Sequence, residues 1–257
     1  MPTYVTGHGL LRDRVAVVTA AAGTGIGGAC ARRMLEEGAR VVLSDAHERR
    51  LGESLAVLRE EFGADAVTAV SCDVTLEEQV QRLFTEAEER FGPVGVVVNN
   101  AGLGGTATLV EMTDEQWGRV LDVTLTGTMR CTRAALRRMQ PRGRGVVVNN
   151  ASVIGWRAQE GQAHYAAAKA GVMALTRCAA IEAAPYGVRV NAVAPSLAMH
   201  PHLAKVTTEE LLAELTRKEA FGRHAEPWEV ANVIVFLASD YSSYMTGEIV
   251  SVSSQHP

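Results

Sequence analysis

The chain has 257 residues, of which 47% are hydrophobic and 21% are charged, and its formal net charge at neutral pH is −4. This composition can form a sizeable core, and without a block of like charges it gives no indication of binding to nucleic acid or to an anionic membrane surface. The four cysteines lie far apart and lack metal-ligand spacing, so we predict free thiols of a reducing compartment and no metal site. The N-terminus has no apolar segment of a secretory signal, and no apolar run approaches the ~20 residues of a membrane helix, so we expect a cytoplasmic protein.

Short apolar runs rich in β-branched residues alternate with longer amphipathic runs along the chain. The apolar runs lack polar alternation, as strands buried on both faces do. The predicted strands cover residues 15–19, 40–44, 66–70, 94–99, 145–150, 188–193 and 248–252. The predicted helices cover residues 26–37, 46–62, 76–91, 114–140, 162–184, 207–219 and 227–238. This alternation predicts an α/β fold, with a parallel sheet of about seven strands and helices on both faces. No repeat, low-complexity tract or linker interrupts it, so we expect a single domain over residues 1–257.

Two predicted helices begin with a hydroxyl three residues before a glutamate or glutamine. Thr75 precedes Glu78, and Thr113 precedes Gln116. This spacing is typical of a capping box, so we predict that helices begin at both threonines.

The glycine-rich stretch "TAAAGTGIGG", residues 19–28, follows the first strand and opens the first helix. Glycines in this position let backbone N–H groups approach a pyrophosphate, and the helix N-terminus favours its negative charge. A flexible turn is the alternative interpretation of the stretch taken alone.

An acid at the end of the second predicted strand supports dinucleotide binding. Asp45 lies 20 residues after Gly25, the offset at which an acid accepts hydrogen bonds from the adenosine ribose in a Rossmann-type, doubly wound sheet. An acid there repels a 2′-phosphate, which favours NAD over NADP, whereas Arg49 and Arg50 nearby keep NADP open. Capping of the second helix is an alternative or additional role for Asp45.

The stretch "HYAAAKAG" carries the sharpest chemical signal. Tyr165 and Lys169 are four residues apart and so share one face of a helix. A neighbouring ammonium favours the phenolate and lowers the pKa of a tyrosine from its usual ~10, which makes the tyrosine a usable base. Ser152 lies at the C-terminal end of a predicted strand, where ligand sites of open α/β sheets form. Taken alone, Tyr-x-x-x-Lys would be an amphipathic helix surface.

Together these motifs resemble the short-chain dehydrogenase/reductase family over nearly the whole chain. "NNAG" at 99–102 resembles the family motif after the fourth strand, and "RVNAVAPS" resembles the segment that closes over the nicotinamide. "FLASDYSSYMTGE" resembles the C-terminal signature. Ser152, Tyr165 and Lys169 match the family's catalytic serine, tyrosine and lysine.

The resemblance implies a role for each of these residues. Tyr165 passes a proton to or from the substrate oxygen, Ser152 hydrogen-bonds that oxygen, and Lys169 holds the nicotinamide ribose while it lowers the tyrosine pKa. Hydride moves between the nicotinamide and the carbon that bears the oxygen. The cofactor-binding residues that it implies are Gly23, Thr24, Gly25, Ile26, Asp45, Asp73, Val74, Asn100, Ala101, Gly102, Tyr165, Lys169, Pro195, Ser196, Leu197 and His200. A homo-oligomer, a dimer or a tetramer, is also implied.

The chain departs from the family pattern in four places. The glycine motif lacks the glycine after Thr19 and is one residue longer, so we expect Gly23 to supply the missing conformation and the loop path to differ there. Thr124 stands where the family has a catalytic asparagine, and its hydroxyl is expected to hold a water. His200 bonds the nicotinamide carboxamide, faces the substrate or lies in a surface loop. The tail "SVSSQHP" replaces the usual ending, which leaves the geometry of a tetramer open.

Substrate specificity is expected from residues 103–113, 153–161 and 196–224, which follow strand ends. The last segment carries large apolar side chains and is predicted to cover an apolar substrate, although an amphipathic helix packed on the core is equally compatible. Trp156 and Arg157 flank a pocket or form a subunit contact.

A narrower resemblance concerns the substrate. "TAAAGTGIG", "SDAHERRL", "VTLTG", "APSLAMH" and "VSSQHP" are similar to an actinobacterial subgroup associated with steroid breakdown, which oxidises a hydroxyl on a bicyclic C/D-ring fragment carried as a CoA thioester. Two alternatives stay open: a reductase of 3-oxoacyl-CoA or 3-oxoacyl-carrier-protein thioesters, and a catalytically weak NAD-sensing binding protein.

Overall fold

The computed structural model describes residues 2–199 and 209–254. Its strands are β1 (Val15–Thr19), β2 (Arg40–Asp45), β3 (Val67–Ser71), β4 (Val96–Asn99), β5 (Gly145–Asn150), β6 (Val188–Pro195) and β7 (Ile249–Val252). Its α-helices are α1 (Ile26–Glu36), α2 (Glu48–Phe62), α3 (Glu77–Phe91), α4 (Asp114–Leu121), α5 (Gly127–Met139), α6 (Ala163–Ala183), α7 (Glu209–Lys218) and α8 (Pro227–Ala238).

The strands form one seven-stranded sheet in the order β3-β2-β1-β4-β5-β6-β7, and every pairing is parallel. In the centre, Val17 of β1 is paired with Val42 of β2 on one side and Val97 of β4 on the other. The order reverses between β1 and β4, which is the point where open α/β sheets bind ligands. The prediction of a doubly wound parallel sheet is confirmed.

Hydrophobic side chains alternate between the two faces of this sheet. Ala16 and Val18 of β1 pack into the core beneath α1 and α8, and Val15 and Val17 pack into the core beneath α3, α5 and α6. All five residues of β1 are buried. Each fully buried valine or leucine stabilises the fold by roughly 1.5–3 kcal/mol, so covering both faces holds the strand ends in fixed positions.

The predicted helix over residues 114–140 is interrupted. It begins at Asp114 behind the predicted capping box, in which Thr113 and Gln116 exchange side-chain-to-backbone hydrogen bonds of 3.1 and 2.9 Å. A π-helical turn then follows over Asp122–Thr126, where the N–H of Gly127 donates to the carbonyl of Asp122, five residues back. An apolar period near 3.6 does not reveal this extra residue per turn, so the sequence predicted one continuous α-helix.

The predicted capping box at Thr75 is wrong, because Leu76 precedes α3 and no side chain caps it. The carboxylate of Asp73 accepts both the hydroxyl of Thr75, at 2.8 Å, and its N–H, at 2.9 Å. A charged acceptor two residues away therefore takes the hydroxyl that the cap would use.

The alternative role of Asp45 as a helix cap is also wrong. His47 occupies that position and accepts the N–H of Arg50 on its ring nitrogen at 3.4 Å, while Asp45 accepts the N–H of His47 at 2.9 Å.

Of the four cysteines, which are all free thiols, only Cys178 is exposed. Within residues 2–199 and 209–254, no helix is long and apolar enough to cross a membrane. The same residues contain no cluster of histidine, cysteine and acidic side chains that could hold a metal ion.

Candidate active site

The C-terminal ends of the central strands bring the predicted site residues together at one edge of the sheet. The glycine loop (residues 19–28) follows β1, and "NAG" (100–102) follows β4. Ser152 follows β5, and Leu197 follows β6. Since these strands are adjacent and parallel, the sites that the sequence assigned to a dinucleotide and to catalysis form one continuous edge.

Three consecutive N–H groups of the glycine loop point towards β2 and α2. Ala21 donates to the carbonyl of Ser44 at 2.9 Å, and Ala22 donates to the carboxylate of Asp45 at 3.2 Å. Gly23 donates to the hydroxyl of Ser54, in α2, at 2.8 Å. The outer part of the loop is therefore fastened to neighbouring elements rather than left open.

The loop adopts left-handed backbone conformations at two positions. Gly23 has φ of 85°, in agreement with its predicted special conformation, but Ala20 also has φ of 49°. Ala20 directly follows Thr19, where the family pattern has glycine, so the alanine itself takes the conformation that glycine favours.

The first turn of α1 fits a pyrophosphate. Gly25 precedes the helix, and no side chain caps it, so the first N–H groups of the helix keep their donor capacity. A Cβ on Gly27 would lie 2.2 Å from the carbonyl oxygen of Ala20, and one on Gly28 would lie 1.9 Å from that of Gly23. The glycines thus let the loop fold closely over the helix, which is the geometry that a bound diphosphate requires.

Amide side chains connect the glycine loop to the ends of β4 and β5. The N–H groups of Asn100 and Ala101 both donate to the hydroxyl of Thr19 at 3.0 Å. The side-chain amide of Asn100 donates to the carbonyl of Ala20 at 3.1 Å and accepts from the amide of Asn150 at 2.8 Å. These bonds fix the position of the glycine loop relative to the ends of β4 and β5.

Lys169 lies in the middle of this edge. Its ammonium donates to the carbonyl of Asn150 at 2.5 Å and lies 5.6 Å from the ring centre of Tyr165. A Cβ on Gly102 would lie 3.4 Å from the ammonium nitrogen, so "NAG" borders the lysine directly. The side chain is 3% exposed, and burial lowers the pKa of Lys169 to about 8.

Tyr165 and Ser152 are in hydrogen-bond contact. Burial raises the pKa of Tyr165 above its ordinary value, and the hydrogen bond with Ser152 acts in the opposite direction by a smaller amount. Ser152 also accepts the N–H of Ile154 at 3.3 Å, which orients its hydroxyl. The structure therefore brings Ser152, Tyr165 and Lys169 together, as the sequence predicted.

Thr124 lies in the π-helical turn and is completely buried. Its hydroxyl donates to the carbonyl of Leu103 at 3.0 Å and accepts the N–H of the same residue at 2.9 Å. The hydroxyl proton is therefore bound to backbone, and Thr124 fastens the loop after β4. This geometry differs from the water-holding role that the sequence suggested.

Residues that the sequence did not single out complete the wall beside Tyr165. The amide of Gln162 donates to the carbonyl of Gly105 at 2.7 Å. The buried ring of His164 accepts the N–H of Tyr165 at 2.9 Å, and a Cβ on Gly105 would lie 3.2 Å from its other nitrogen. Since the two contacts with Gly105 cross between the segments after β4 and β5, no local pattern in the sequence signals them.

The remaining predicted cofactor residues lie at the borders of the edge. Asp73 precedes the buried Val74, which packs against Gly127. Pro195 ends β6, and the N–H of Ser196 donates to the carbonyl of Val252. His200 lies outside the described residues, as do residues 201–208 of the predicted substrate-covering segment.

The described part of that segment is anchored through Glu219, which is 4% exposed. Its carboxylate accepts the N–H of Leu197 at 3.4 Å and the hydroxyl of Ser254 at 2.6 Å. The beginning and the end of the segment are joined as well, because the N–H of Ala225 donates to the carbonyl of Leu197 at 2.8 Å.

Exposed apolar side chains follow the ends of three strands at this edge. Leu109 and Val110 follow β4, Trp156 follows β5 and Phe221 follows β6, and their exposed fractions are 72%, 95%, 43% and 77%. Both the pocket and the subunit-contact interpretations of Trp156 agree with this exposure.

Comparisons with known proteins agree with this arrangement. The family model "Enoyl-(Acyl carrier protein) reductase" matches residues 20–254. A relative from Mycobacterium tuberculosis, named (5R,7aS)-5-hydroxy-7a-methyl-1-oxo-2,3,5,6,7,7a-hexahydro-1H-indene-carboxyl-CoA reductase, is 63% identical over 100% of this chain and 98% of its own length. A 3-oxoacyl-[acyl-carrier-protein] reductase from Thermotoga maritima is 36% identical over 94% of this chain and 97% of its own.

A crystal structure of a short chain dehydrogenase from Mycobacterium smegmatis is also similar. It superposes with a TM-score of 0.88 at 59% identity, over 100% of this chain and 98% of the other. The matched regions include the glycine loop after Thr19 and the segments that carry Ser152, Tyr165 and Lys169.

Proposed function

The chain belongs to the short-chain dehydrogenase/reductase family and is an oxidoreductase, and from this premise we propose its substrate and its cofactor. The substrate is a ring hydroxyl, or the corresponding ketone, of a steroid-derived bicyclic CoA thioester, and the cofactor is NAD. The observation that carries the proposal is the contact of Ser152, Tyr165 and Lys169 at the strand edge, in a chain 63% identical to a reductase named for such a thioester.

The proposed roles of the three side chains follow from their contacts. Tyr165 takes the proton of the substrate hydroxyl during oxidation and returns it during reduction. Ser152 hydrogen-bonds the substrate oxygen and orients the phenol. Lys169 favours the phenolate through its charge, which offsets the rise in the pKa of Tyr165 that burial causes. A bound nicotinamide supplies the hydride chemistry, and the protein supplies position and proton transfer.

Cofactor binding is proposed for the glycine loop, the first turn of α1, Asp45 and "NAG". We expect the N–H groups of residues 24–26 to donate to the pyrophosphate and the carboxylate of Asp45 to accept the ribose hydroxyls. Among the residues that the structure describes, the carboxylate of Asp45 accepts two backbone N–H groups, one on each oxygen, so both oxygens retain lone pairs for a diol. The same negative charge disfavours a 2′-phosphate, which supports NAD over NADP.

A large apolar ring system suits the exposed apolar side chains that follow three strand ends, which are Leu109, Val110, Trp156 and Phe221. We place the rings against this surface and extend the thioester arm towards solvent. The protein is further proposed to act in the cytoplasm. We also propose a homo-oligomer, a dimer or a tetramer, because large apolar side chains elsewhere on the surface are exposed: Ile181 at 77%, Tyr241 at 75% and Tyr244 fully.

The test is steady-state NAD reduction with a bicyclic ring alcohol as its CoA thioester, compared with reduction of a linear 3-oxoacyl-CoA by NADH. We expect turnover of the ring alcohol, and Tyr165→Phe lowers kcat by at least about a hundredfold because general acid–base catalysis contributes ~10²–10⁴-fold. Preference for the linear thioester would replace the substrate proposal with the 3-oxoacyl reductase. Cofactor binding without turnover of either substrate would indicate a sensor.

A further inference from the structure

The extra residue of the glycine loop is accommodated by a contact with α2. The loop holds five residues between Thr19 and Gly25, and Gly23 is the third of its consecutive amide donors. That N–H donates, at 2.8 Å, to the hydroxyl of Ser54, which lies 31 positions later in the chain. Ser54 lies in the interior of α2 and is partly exposed.

A serine inside a helix often bonds a carbonyl of its own helix, four residues back. Such a bond uses the hydroxyl proton and leaves the lone pairs of the oxygen available, and here the Ser54 oxygen accepts the amide N–H of another element. Gly23 is exposed and has a left-handed φ of 85°, so no regular secondary structure fixes its N–H. The hydroxyl of Ser54 is the contact that holds this turn of the loop against α2.

The preceding amide belongs to the ribose subsite. Ala22 donates to one carboxylate oxygen of Asp45 at 3.2 Å, and the other oxygen accepts the N–H of His47 at 2.9 Å. Ala22 lies between Ala21, whose N–H donates to the carbonyl of Ser44, and Gly23, so a displacement of the Gly23 amide also displaces Ala22 relative to Asp45. Ser54, the extra loop residue and Asp45 therefore form one connected unit.

We propose that Ser54 is a positioning residue for the dinucleotide, which holds the longer glycine loop so that Asp45 presents its carboxylate to a ribose with a free 2′-hydroxyl. The inference rests on the proposed cofactor site and deepens it. When Ser54 lacks its hydroxyl, the loop is free to move outward, and Asp45 loses the N–H of Ala22. The space between the loop and Asp45 then becomes less selective against a 2′-phosphate.

A purely structural serine would behave differently. Its loss would lower thermal stability and weaken the binding of NADH and NADPH by the same factor. A positioning residue changes the ratio of the two dissociation constants, because only one of the two ligands depends on the carboxylate geometry. The ratio is therefore the decisive quantity.

The experiment measures binding of NADH and of NADPH to the full-length protein without substrate, by fluorescence titration, for the parent and three variants. Ser54→Ala removes the acceptor, and Ser54→Thr keeps it. Gly52→Ala is the control on the same helix, since a Cβ there meets no atom within 4 Å. Amide hydrogen exchange of a peptide that contains Gly23 reports directly on the loop.

We expect Ser54→Ala to bind NADH roughly three- to tenfold more weakly, the range that loss of one hydrogen bond gives. NADPH binding changes less, so the ratio of the NADPH constant to the NADH constant falls. Exchange at Gly23 becomes faster. Ser54→Thr and Gly52→Ala bind both dinucleotides within about twofold of the parent, the scatter that a surface substitution gives.

An unchanged ratio in Ser54→Ala, with or without a lower Tm, would overturn the inference. A parent protein that binds NADPH more tightly than NADH would also overturn it. The binding experiment contains no substrate, so its result is independent of the proposed reaction. If the parent binds NADH and Ser54→Ala changes the ratio, but the parent oxidises no ring alcohol, the inference on Ser54 holds and the proposed substrate is wrong.

Discussion

At the scale of single residues, the site keeps two ionisable side chains in unfavourable surroundings. Burial lowers the pKa of Lys169 to about 8 and raises the pKa of Tyr165. Both shifts favour the neutral form of the side chain. The proximity of the lysine to the tyrosine, and the charge of a bound cofactor, would favour the ionised form of Tyr165 instead. The sequence predicted which residues meet, but it did not show that Lys169 is 3% exposed and held by the carbonyl of Asn150.

The buried lysine predicts a rise in stability with pH. In the unfolded chain Lys169 keeps its proton up to the ordinary pKa of 10.5, whereas in the folded protein it does so only up to about 8. Between these pH values the unfolded state binds more protons, so the free energy of unfolding increases as pH rises. We expect the parent to gain about 2 kcal/mol relative to Lys169→Met between pH 7.5 and 9.5.

Urea unfolding of the cofactor-free protein at both pH values measures this difference. Lys218→Met serves as the control, because the side chain of Lys218 is exposed, and the stability of this variant should change with pH as that of the parent does. A pH dependence that is identical in the parent and in Lys169→Met would contradict the prediction.

A second residue-scale prediction concerns Ala20, whose φ is 49°. An L-residue in this left-handed region costs ~1–2 kcal/mol, which glycine avoids. Part of this advantage is lost because glycine has a larger conformational entropy in the unfolded state. Ala20→Gly should therefore raise the free energy of unfolding by about 0.5–1 kcal/mol, while Ala20→Val should lower it. Thermal denaturation of the three proteins gives the order, and a less stable Ala20→Gly variant would refute the strain.

At the scale of elements, the interruption between α4 and α5 lies beside the candidate active site. The π-helical turn (Asp122–Thr126) places Thr124 against Leu103, in the loop that borders Tyr165. π-helical turns inside α-helices frequently occur at functional sites. Helix ends with a local signal, such as the capping box at Thr113, were predictable from sequence, but the hydrogen-bond register inside a helix has no such signal.

We predict that Thr124→Val lowers kcat more than Thr124→Asn does. Valine fills the space and leaves the N–H and C=O of the partly buried Leu103 without this partner, at a cost of up to about 1–3 kcal/mol per group. Asparagine retains a donor and an acceptor. The kcat of Thr124→Val should fall roughly tenfold as the wall beside Tyr165 loosens, with NADH binding unchanged. Equal kcat in all three proteins would show that this side chain has no part in turnover.

At the scale of the whole molecule, a sheet covered on both faces holds sites that lie far apart in the chain. Strand positions were predictable to within about two residues because buried parallel strands are continuous apolar runs. The contacts that shape the site were not, since Ser54 meets Gly23 and Asn150 meets Asn100 across different elements. Such contacts depend on the packing of the complete sheet, and no window of sequence contains both partners.

Ligand binding should stabilise the whole molecule according to cofactor preference. At a concentration of NADH one hundred times its dissociation constant, the folded state gains about 2.7 kcal/mol, which raises Tm by roughly 5–10 °C for a protein of this size. NADPH at the same concentration should raise Tm less, because of Asp45. Differential scanning fluorimetry tests this, and an equal or larger shift with NADPH would contradict the NAD preference.

The fastening of Ala21, Ala22 and Gly23 to β2 and α2 also bears on how such a loop can evolve. A pattern that requires glycine directly after Thr19 would pass over this chain, although no side chain caps the N-terminus of α1. Lengthening the loop adds one peptide amide, and the serine hydroxyl of α2 supplies the matching acceptor. Loop length can therefore vary during divergence wherever the adjacent helix gains a short polar side chain, so insertion and helix substitution should be inherited as a pair.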